Sequence, residues 1–526
     1  MLFNSYLFLF LFLPVALAGH YAAGKVSPWL AAVWLCVMSF AFYGWWNPQF
    51  VALLAASIAF NYAMSRIVMR CAGQPRLQNL LVGASIAADL AVLAHYKYFA
   101  TLFNFLSDLC ITHGTLTTPI LPLGISFFTF TQIGYLLDCR SGIVKERSLL
   151  SYVLFVTFFP HLVAGPILHH KEMMPQFAQR ENFRFHAENL SVGGILFVVG
   201  LAKKVLFADT VAPYADAGFA APGDLQLWAA WGTSVAYALQ LYFDFSGYSD
   251  MALGLAKMFG IRFPLNFNSP YKASSIIDFW ARWHITLTRY LTSYLYYPVA
   301  MAISRARERR GLPAGSSAAR TPRGFVATIV APTMFTMSLA GIWHGAGIQY
   351  LVFGVLHAVY LSINHGWRIF VVSRRPVAER GRNGAAHALG VAATFVAVLV
   401  AQAFFRANGV GDAWRLIEGM AGLRGVEHIA ALPAATAMSI GDAWRLLIGH
   451  HLQAVQLTVL LGIAWFAPNA HQILGQHSPA LFKVQAAPRP FMPWRPNVPW
   501  FAATLVVLFL CMVNLHKETR FLYFQF

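Results

Sequence analysis

The chain has 526 residues, is 58% hydrophobic and only 11% charged, and carries a formal net charge of +18. Soluble proteins carry roughly a quarter charged residues, so a soluble enzyme is ruled out, and apolar runs of bilayer length recur along almost the whole sequence, as in a multi-pass helical membrane protein. The basic excess lies between apolar runs (Arg305, Arg307, Arg309, Arg310, Arg320 and Arg323, then Arg374, Arg375, Arg380 and Arg382), the pattern of cytosolic loops in a membrane protein rather than of a nucleic-acid-binding face.

About a dozen transmembrane or re-entrant segments are expected, in one integral membrane domain over 1–526. The first, 2–18, ends in Ala16-Leu17-Ala18, which imitates a signal-peptidase site. Met1 to Tyr6 holds no basic residue, so the segment reads as a retained helix. Spans follow at 28–46, 49–68 and 79–99. The segment 119–137 opens Pro119-Ile120-Leu121-Pro122-Leu123-Gly124 and is expected to be re-entrant. Span 150–168 contains Phe159-Pro160-His161-Leu162-Val163-Ala164-Gly165-Pro166, a histidine between prolines that free backbone carbonyls. After 190–208, span 226–244 runs into Tyr242-Phe243-Asp244-Phe245-Ser246-Gly247-Tyr248-Ser249-Asp250, which places two carboxylates at its end. For His161, Asp244 and Asp250 two readings stand: a functional site, or groups that satisfy buried backbone and pair with Arg or Lys.

Residues 275–297 are expected to form one amphipathic helix. Trp280, Trp283, His284, Leu287, Leu291 and Tyr294 fall on one stripe, with Asp278, Arg282, Arg289 and Ser293 opposite. Packing alone accounts for the aromatics, but an imidazole on that face needs polar partners. A basic loop at 303–324 leads to segments 325–343 and 348–371, which read as a hairpin, then to a second basic loop at 372–387 and a span at 388–405. The polar stretch 407–454 repeats a hexapeptide, Gly411 to Leu416 and Gly441 to Leu446, suggesting short helices. Spans at 455–467 and 499–515 complete the chain.

From Phe325 to Ile342 there is no Lys, Arg, Asp, Glu or His; then Trp343-His344-Gly345 follows, among Gly341, Gly345 and Gly347. A lone titratable ring at membrane depth is costly and marks a site, unless a neighbouring helix simply satisfies it. His is also suited to moving protons near neutral pH. The five cysteines are scattered, without CxxC, so no disulfide framework or metal site is indicated. Hydrolase elbows, HExxH, P-loops, GxGxxG and HxxxxD motifs are missing.

The strings Phe243 to Ala252, Asn266-Phe267-Asn268-Ser269-Pro270-Tyr271, Phe279-Trp280-Ala281-Arg282-Trp283-His284-Ile285 and Ile342-Trp343-His344-Gly345-Ala346, with Phe159 to Pro166 and Phe521 to Phe526, resemble the membrane-bound O-acyltransferases, in particular their bacterial alginate O-acetylation branch. The resemblance runs along the chain with the motifs in order. It implies an all-α fold around a central tunnel, with no bound cofactor or metal. The implied activity moves an acetyl group from a cytosolic thioester donor, acetyl-CoA, to hydroxyls of an extracytoplasmic polysaccharide. A periplasmic or secreted serine hydrolase-like partner would receive or relay the group. By the same resemblance His344 and His284 are the catalytic pair. Trp343, Trp283, Arg282, Asp244, Ser246, Tyr248, Asp250, Asn266, Asn268 and His161 are candidates for binding substrate or lining the tunnel. One departure stands out: where alginate-branch relatives carry a Gly-Gly-Asn-Arg turn, this chain has Tyr296-Tyr297-Pro298-Val299-Ala300-Met301. Two other readings remain open: transfer of D-alanyl or another acyl group from a carrier protein, and a proton-coupled transporter or export scaffold. The last would often show inverted repeats, and none is visible.

Overall fold

A computed structural model describes residues 1–108, 111, 114–374, 384–426, 440–484, 493–515 and 521–522, with side chains 440–451 excepted. Among these residues all regular structure is helical. Seven helices among the described residues are long and apolar enough to cross a bilayer: Phe8–Val26, Pro28–Trp46, Gln49–Arg70, Pro75–Asp108, Ala187–Ala220, Pro322–His344 and Gly384–Arg406. The protein is an all-α, multi-pass membrane protein. Most of the second basic loop, 375–383, lies outside the described residues, as do 427–439.

Several expected spans take other forms, each for a local reason. The first helix runs Phe8–Val26 rather than 2–18. The segment at 119–137 becomes a 16-residue helix, Ile125–Arg140, preceded by irregular chain. Span 150–168 is broken. Leu149–Thr157 stops because the Pro160 ring would collide with the carbonyl four residues earlier, and only the short turn Phe159–Leu162 follows. The freed Phe159 N–H donates to Ser39 Oγ at 3.2 Å, so the break leaves no orphaned donor there. The span at 226–244 extends into a 32-residue helix, Leu227–Met258. The first hexapeptide opens the short helix Val410–Met420, whereas the second lies within Ile440–Phe466, a 27-residue helix.

The chain divides into two compact units. One comprises residues 1–205, 245–266 and 468–526; the other comprises 206–244 and 267–467. In the first, Ala187–Ala202 packs against the latter part of Leu227–Met258 along a seam of small residues. A Cβ on Gly193 would meet the Gly254 carbonyl, and one on Gly200 the Gly247 carbonyl. Such backbone approach is how helices associate without a hydrophobic driving force. In the second unit, the Tyr271 hydroxyl donates to the Ala238 carbonyl at 2.7 Å, and Trp231 Nε1 donates to the Met420 carbonyl at 2.9 Å. Two apolar helices, Pro322–His344 and Ile348–Gly366, form the expected hairpin. A Cβ on Gly341 would run into the Tyr350 carbonyl, and one on Gly354 into that of Met337, so only glycine admits this contact.

Candidate functional site

His344 is the last residue of its helix, at the bend of the hairpin, where Gly345 turns to extended backbone. Its ring is half-buried. The Trp343 ring lies 4.8 Å away, with the edges of Phe405 at 4.9 Å and Phe353 at 6.0 Å. Trp343 itself is buried. An imidazole with aromatic walls and partial access is shaped to meet a substrate while bulk water is held back.

His284 is not on a continuous helix. It joins Ile276–Trp280 to Ile285–Leu291 with φ 43° and ψ 52°, a left-handed conformation that costs a non-glycine residue free energy. The single amphipathic helix expected over 275–297 is therefore corrected to a short helix, Ile276–Trp280, and, after the break at His284, a helical run from Ile285 that continues through a π-type turn into Tyr297–Glu308, although the burial pattern of the stripe holds: Trp280, Trp283, His284, Leu287 and Leu291 are buried. The break is held by the chain before it. Asn268 N–H donates to the Arg282 carbonyl at 2.9 Å, and Arg282 Nη1 donates back to the Asn268 carbonyl at 3.4 Å. Arg282 Nε also bonds Asp278 Oδ1 at 2.8 Å. Strain of this kind persists only where surroundings over-determine it, and it gathers at functional sites. His284 is 1% exposed. Burial pushes its pKa down to about 3, so the ring is neutral at physiological pH.

Both histidines belong to the second unit, together with Trp343, Trp283, Arg282, Asp244 and Asn268. Trp283 packs edge-on to Phe267 at 5.1 Å, and Phe267 stacks on His284 at 6.3 Å. Tyr242, two residues before the buried Asp244, reaches Trp283 at 6.5 Å. Sequence reasoning missed a third histidine in this unit. His357 is buried; Phe279 lies parallel to its ring at 6.2 Å and Phe353 meets it at 4.7 Å. With Trp283 stacked on Phe279 at 5.6 Å, rings run without interruption from His284 through His357 and Phe353 to His344. The intramembrane-histidine argument that singled out His344 applies equally to His357.

The remaining candidates, His161, Ser246, Tyr248, Asp250 and Asn266, fall in the first unit. His161 is buried with its ring 5.7 Å from Phe263. Ser246 is fully buried. Tyr248 stacks on Phe3 at 5.0 Å and meets Phe521 at 5.0 Å. Asn266 Nδ2 donates to Ser249 Oγ at 3.0 Å. Asp250 accepts from Lys203 Nζ at 2.6 Å and pairs with His471 Nε2 at 2.8 Å. Among the described residues no group of three or more His, Cys, Asp or Glu is placed to hold a metal ion.

An imidazole at an aromatic-walled bend is placed to take a proton from a hydroxyl. A second buried imidazole in the same unit can bind or polarise a substrate. Comparison with known proteins bears on this chemistry directly. Residues 40–312 match the family model of the membrane-bound O-acyltransferases. The chain is 36% identical to the peptidoglycan O-acetyltransferase of Helicobacter pylori, over 81% of this chain and 81% of that protein. It is 36% identical to the probable alginate O-acetylase of Pseudomonas aeruginosa, over 80% of this chain and 75% of that protein. It is also 28% identical to the teichoic acid D-alanyltransferase of Streptococcus thermophilus, over 47% of this chain and 57% of that protein.

Proposed function

The chain belongs to the membrane-bound O-acyltransferase family and is an O-acyltransferase of the membrane; from that premise we propose that it carries an acetyl group from cytosolic acetyl-CoA to hydroxyls of an extracytoplasmic polysaccharide, with His344 as the general base. In the bacterial inner membrane the transfer runs from one side to the other through a protein-lined passage. The observation that carries the reading is the half-buried, aromatic-walled imidazole of His344 at the bend of the hairpin. The relatives named as acetylating peptidoglycan and, probably, alginate support acetyl as the group and a polysaccharide as acceptor.

In the step, the hydroxyl oxygen attacks the thioester carbonyl while its proton passes to a ring nitrogen of His344. The tetrahedral oxyanion then collapses, the C–S bond breaks, and the proton returns to the departing thiolate. The products are an O-acetyl ester and the free thiol, so no oxidant or reductant is needed. In this reading His284, the second buried imidazole of the unit, hydrogen-bonds the developing oxyanion. The buried aromatic path around both rings keeps water from hydrolysing the thioester. A serine hydrolase-like partner on the outer side, taking the acetyl group in relay, belongs to the same reading.

Purified protein in liposomes, given labelled acetyl-CoA and polysaccharide acceptor, should form labelled O-acetyl ester. A second reading draws on the teichoic acid D-alanyltransferase likeness: an acyl group delivered by a carrier protein. Label transferred from a charged carrier protein but not from acetyl-CoA would replace the first reading with this one.

His284 offers a separate check on its own part. His284→Gly and His284→Ala both remove the ring, but glycine alone is at ease at φ 43°. The glycine variant should be more stable than the alanine variant by about 1 kcal/mol, measured by thermal unfolding in detergent. Both should lose transfer alike, by roughly 10²–10³-fold if the ring stabilises the oxyanion. Activity that tracked stability instead would make His284 a structural residue.

A further inference from the structure

The mechanism above makes no use of His357, yet its placement is costly. A fully buried imidazole in aromatic surroundings loses hydration that a leucine would not have to lose. Space filling alone therefore does not account for it. The ring is also held in a definite way. Trp280 Nε1 donates to His357 Nδ1 at 3.2 Å. Only a ring nitrogen without a proton can accept, so the imidazole is neutral and carries its hydrogen on Nε2. Seven residues further along the same helix, and so on the same face, Asn364 Oδ1 accepts from the Ile277 N–H at 3.3 Å. Two hydrogen bonds thus clamp the short helix Ile276–Trp280 onto Ile348–Gly366.

Each end of this clamp leads to one of the two reactive rings. Trp280 and Phe279 precede the strained His284, whose left-handed backbone follows four residues after Trp280. On the other side Phe353, one turn before His357, touches both His357 and His344. Resting on the acyl-transfer reading, we propose that His357 is a positioning residue: by accepting the Trp280 N–H it fixes the turn that carries His284 relative to the hairpin that carries His344. Displacement of reacting groups by about 1 Å can cost up to 10²-fold in rate, so a rigid tie between the two rings has a direct kinetic value.

The test uses the full chain in liposomes, with kcat and KM for the acyl donor measured for Trp280→Phe, His357→Phe, their double variant, and His357→Asn. Asparagine can place its amide oxygen where Nδ1 sits. Losing the bond should lower kcat about tenfold while KM stays within about twofold, since alignment rather than donor binding is lost. The double variant should be no slower than either single variant, because both remove one and the same interaction. His357→Asn should recover most of the rate. In ¹⁵N-Trp-labelled protein, the indole N–H signal assigned by Trp280→Phe should move in His357→Phe and stay near its wild-type position in His357→Asn.

Additive losses in the double variant, or wild-type kcat in His357→Phe, would overturn the proposal. If the phenylalanine variants fail to fold, His357→Asn against His357→Gln decides, because glutamine places its acceptor near Nε2 instead. Equal activity of those two would also overturn it. Wild-type protein assayed alongside keeps the two readings apart. No turnover by wild type rejects acyl transfer and this proposal with it, whereas full turnover by wild type and His357→Phe rejects this proposal alone.

Discussion

Replacing His344 by alanine is expected to lower acetyl transfer by about 10²–10⁴-fold, the range that general-base assistance contributes, while leaving the protein folded. The second half of that expectation follows from where the residue sits. His344 ends its helix and is half-buried, alanine is the best helix former, and the bend continues through Gly345 whatever the side chain. The hairpin is held by backbone contact at Gly341 and Gly354, which the alanine leaves in place. What disappears is the ring, with its contacts to Phe405 and Phe353. Turnover of labelled acetyl-CoA in liposomes, beside thermal unfolding in detergent, separates the two effects. Donor binding should survive, so the loss belongs in kcat. A His344→Ala protein that unfolds like wild type and still transfers at more than about a tenth of its rate would remove His344 as the base.

The bilayer made much of this molecule readable. It requires long apolar helices, so about a dozen apolar runs stood out by composition, seven of them helices of spanning length among the described residues, and it penalises a lone polar ring, so His344 stood out as well. The left-handed break at His284 was hidden for a physical reason. Ala281-Arg282-Trp283-His284 contains no Gly or Pro, and the turn is imposed by hydrogen bonds from Asn268, fourteen residues away. Helical periodicity still predicted the buried side because the helical pieces before and after the break keep nearly the same face inward. His357 was legible by the rule applied to His344, being an ionisable group inside an apolar segment. Its partner Trp280 is 77 residues away, and no local pattern announces that bond. For Asp250, pairing with an Arg or Lys was one of the two readings the sequence left open. That the cation is Lys203, and that His471 joins from 221 residues away, only the fold could supply.

That ion cluster carries the second large effect. Asp250→Ala is expected to destabilise the protein by about 3–5 kcal/mol, because it strands Lys203 without its counter-charge in a buried site. Lys203 cannot readily turn to water. It belongs to a wide π-type turn, Lys203–Ala208, and the backbones at Gly200 and Gly247 touch. A Cβ on Gly247 would press against the Lys203 side chain, so the seam that brings the helices together also fixes the ammonium beside the carboxylate. The charged pair need not be stabilising for this to hold: two well-packed apolar residues of similar size are often as good, and breaking the pair on one side is what costs. Asp250→Leu combined with Lys203→Met should therefore recover most of the stability that Asp250→Ala loses, and acyl transfer should return with it. Thermal unfolding and transfer measured on the same preparations decide which reading of Asp250 holds. If Asp250→Ala unfolds like wild type but no longer transfers, and Asp250→Leu with Lys203→Met is equally inactive, the carboxylate works on substrate. If activity follows the folded fraction through all the variants, Asp250 holds the first unit together and the reacting groups are those around His284 and His344.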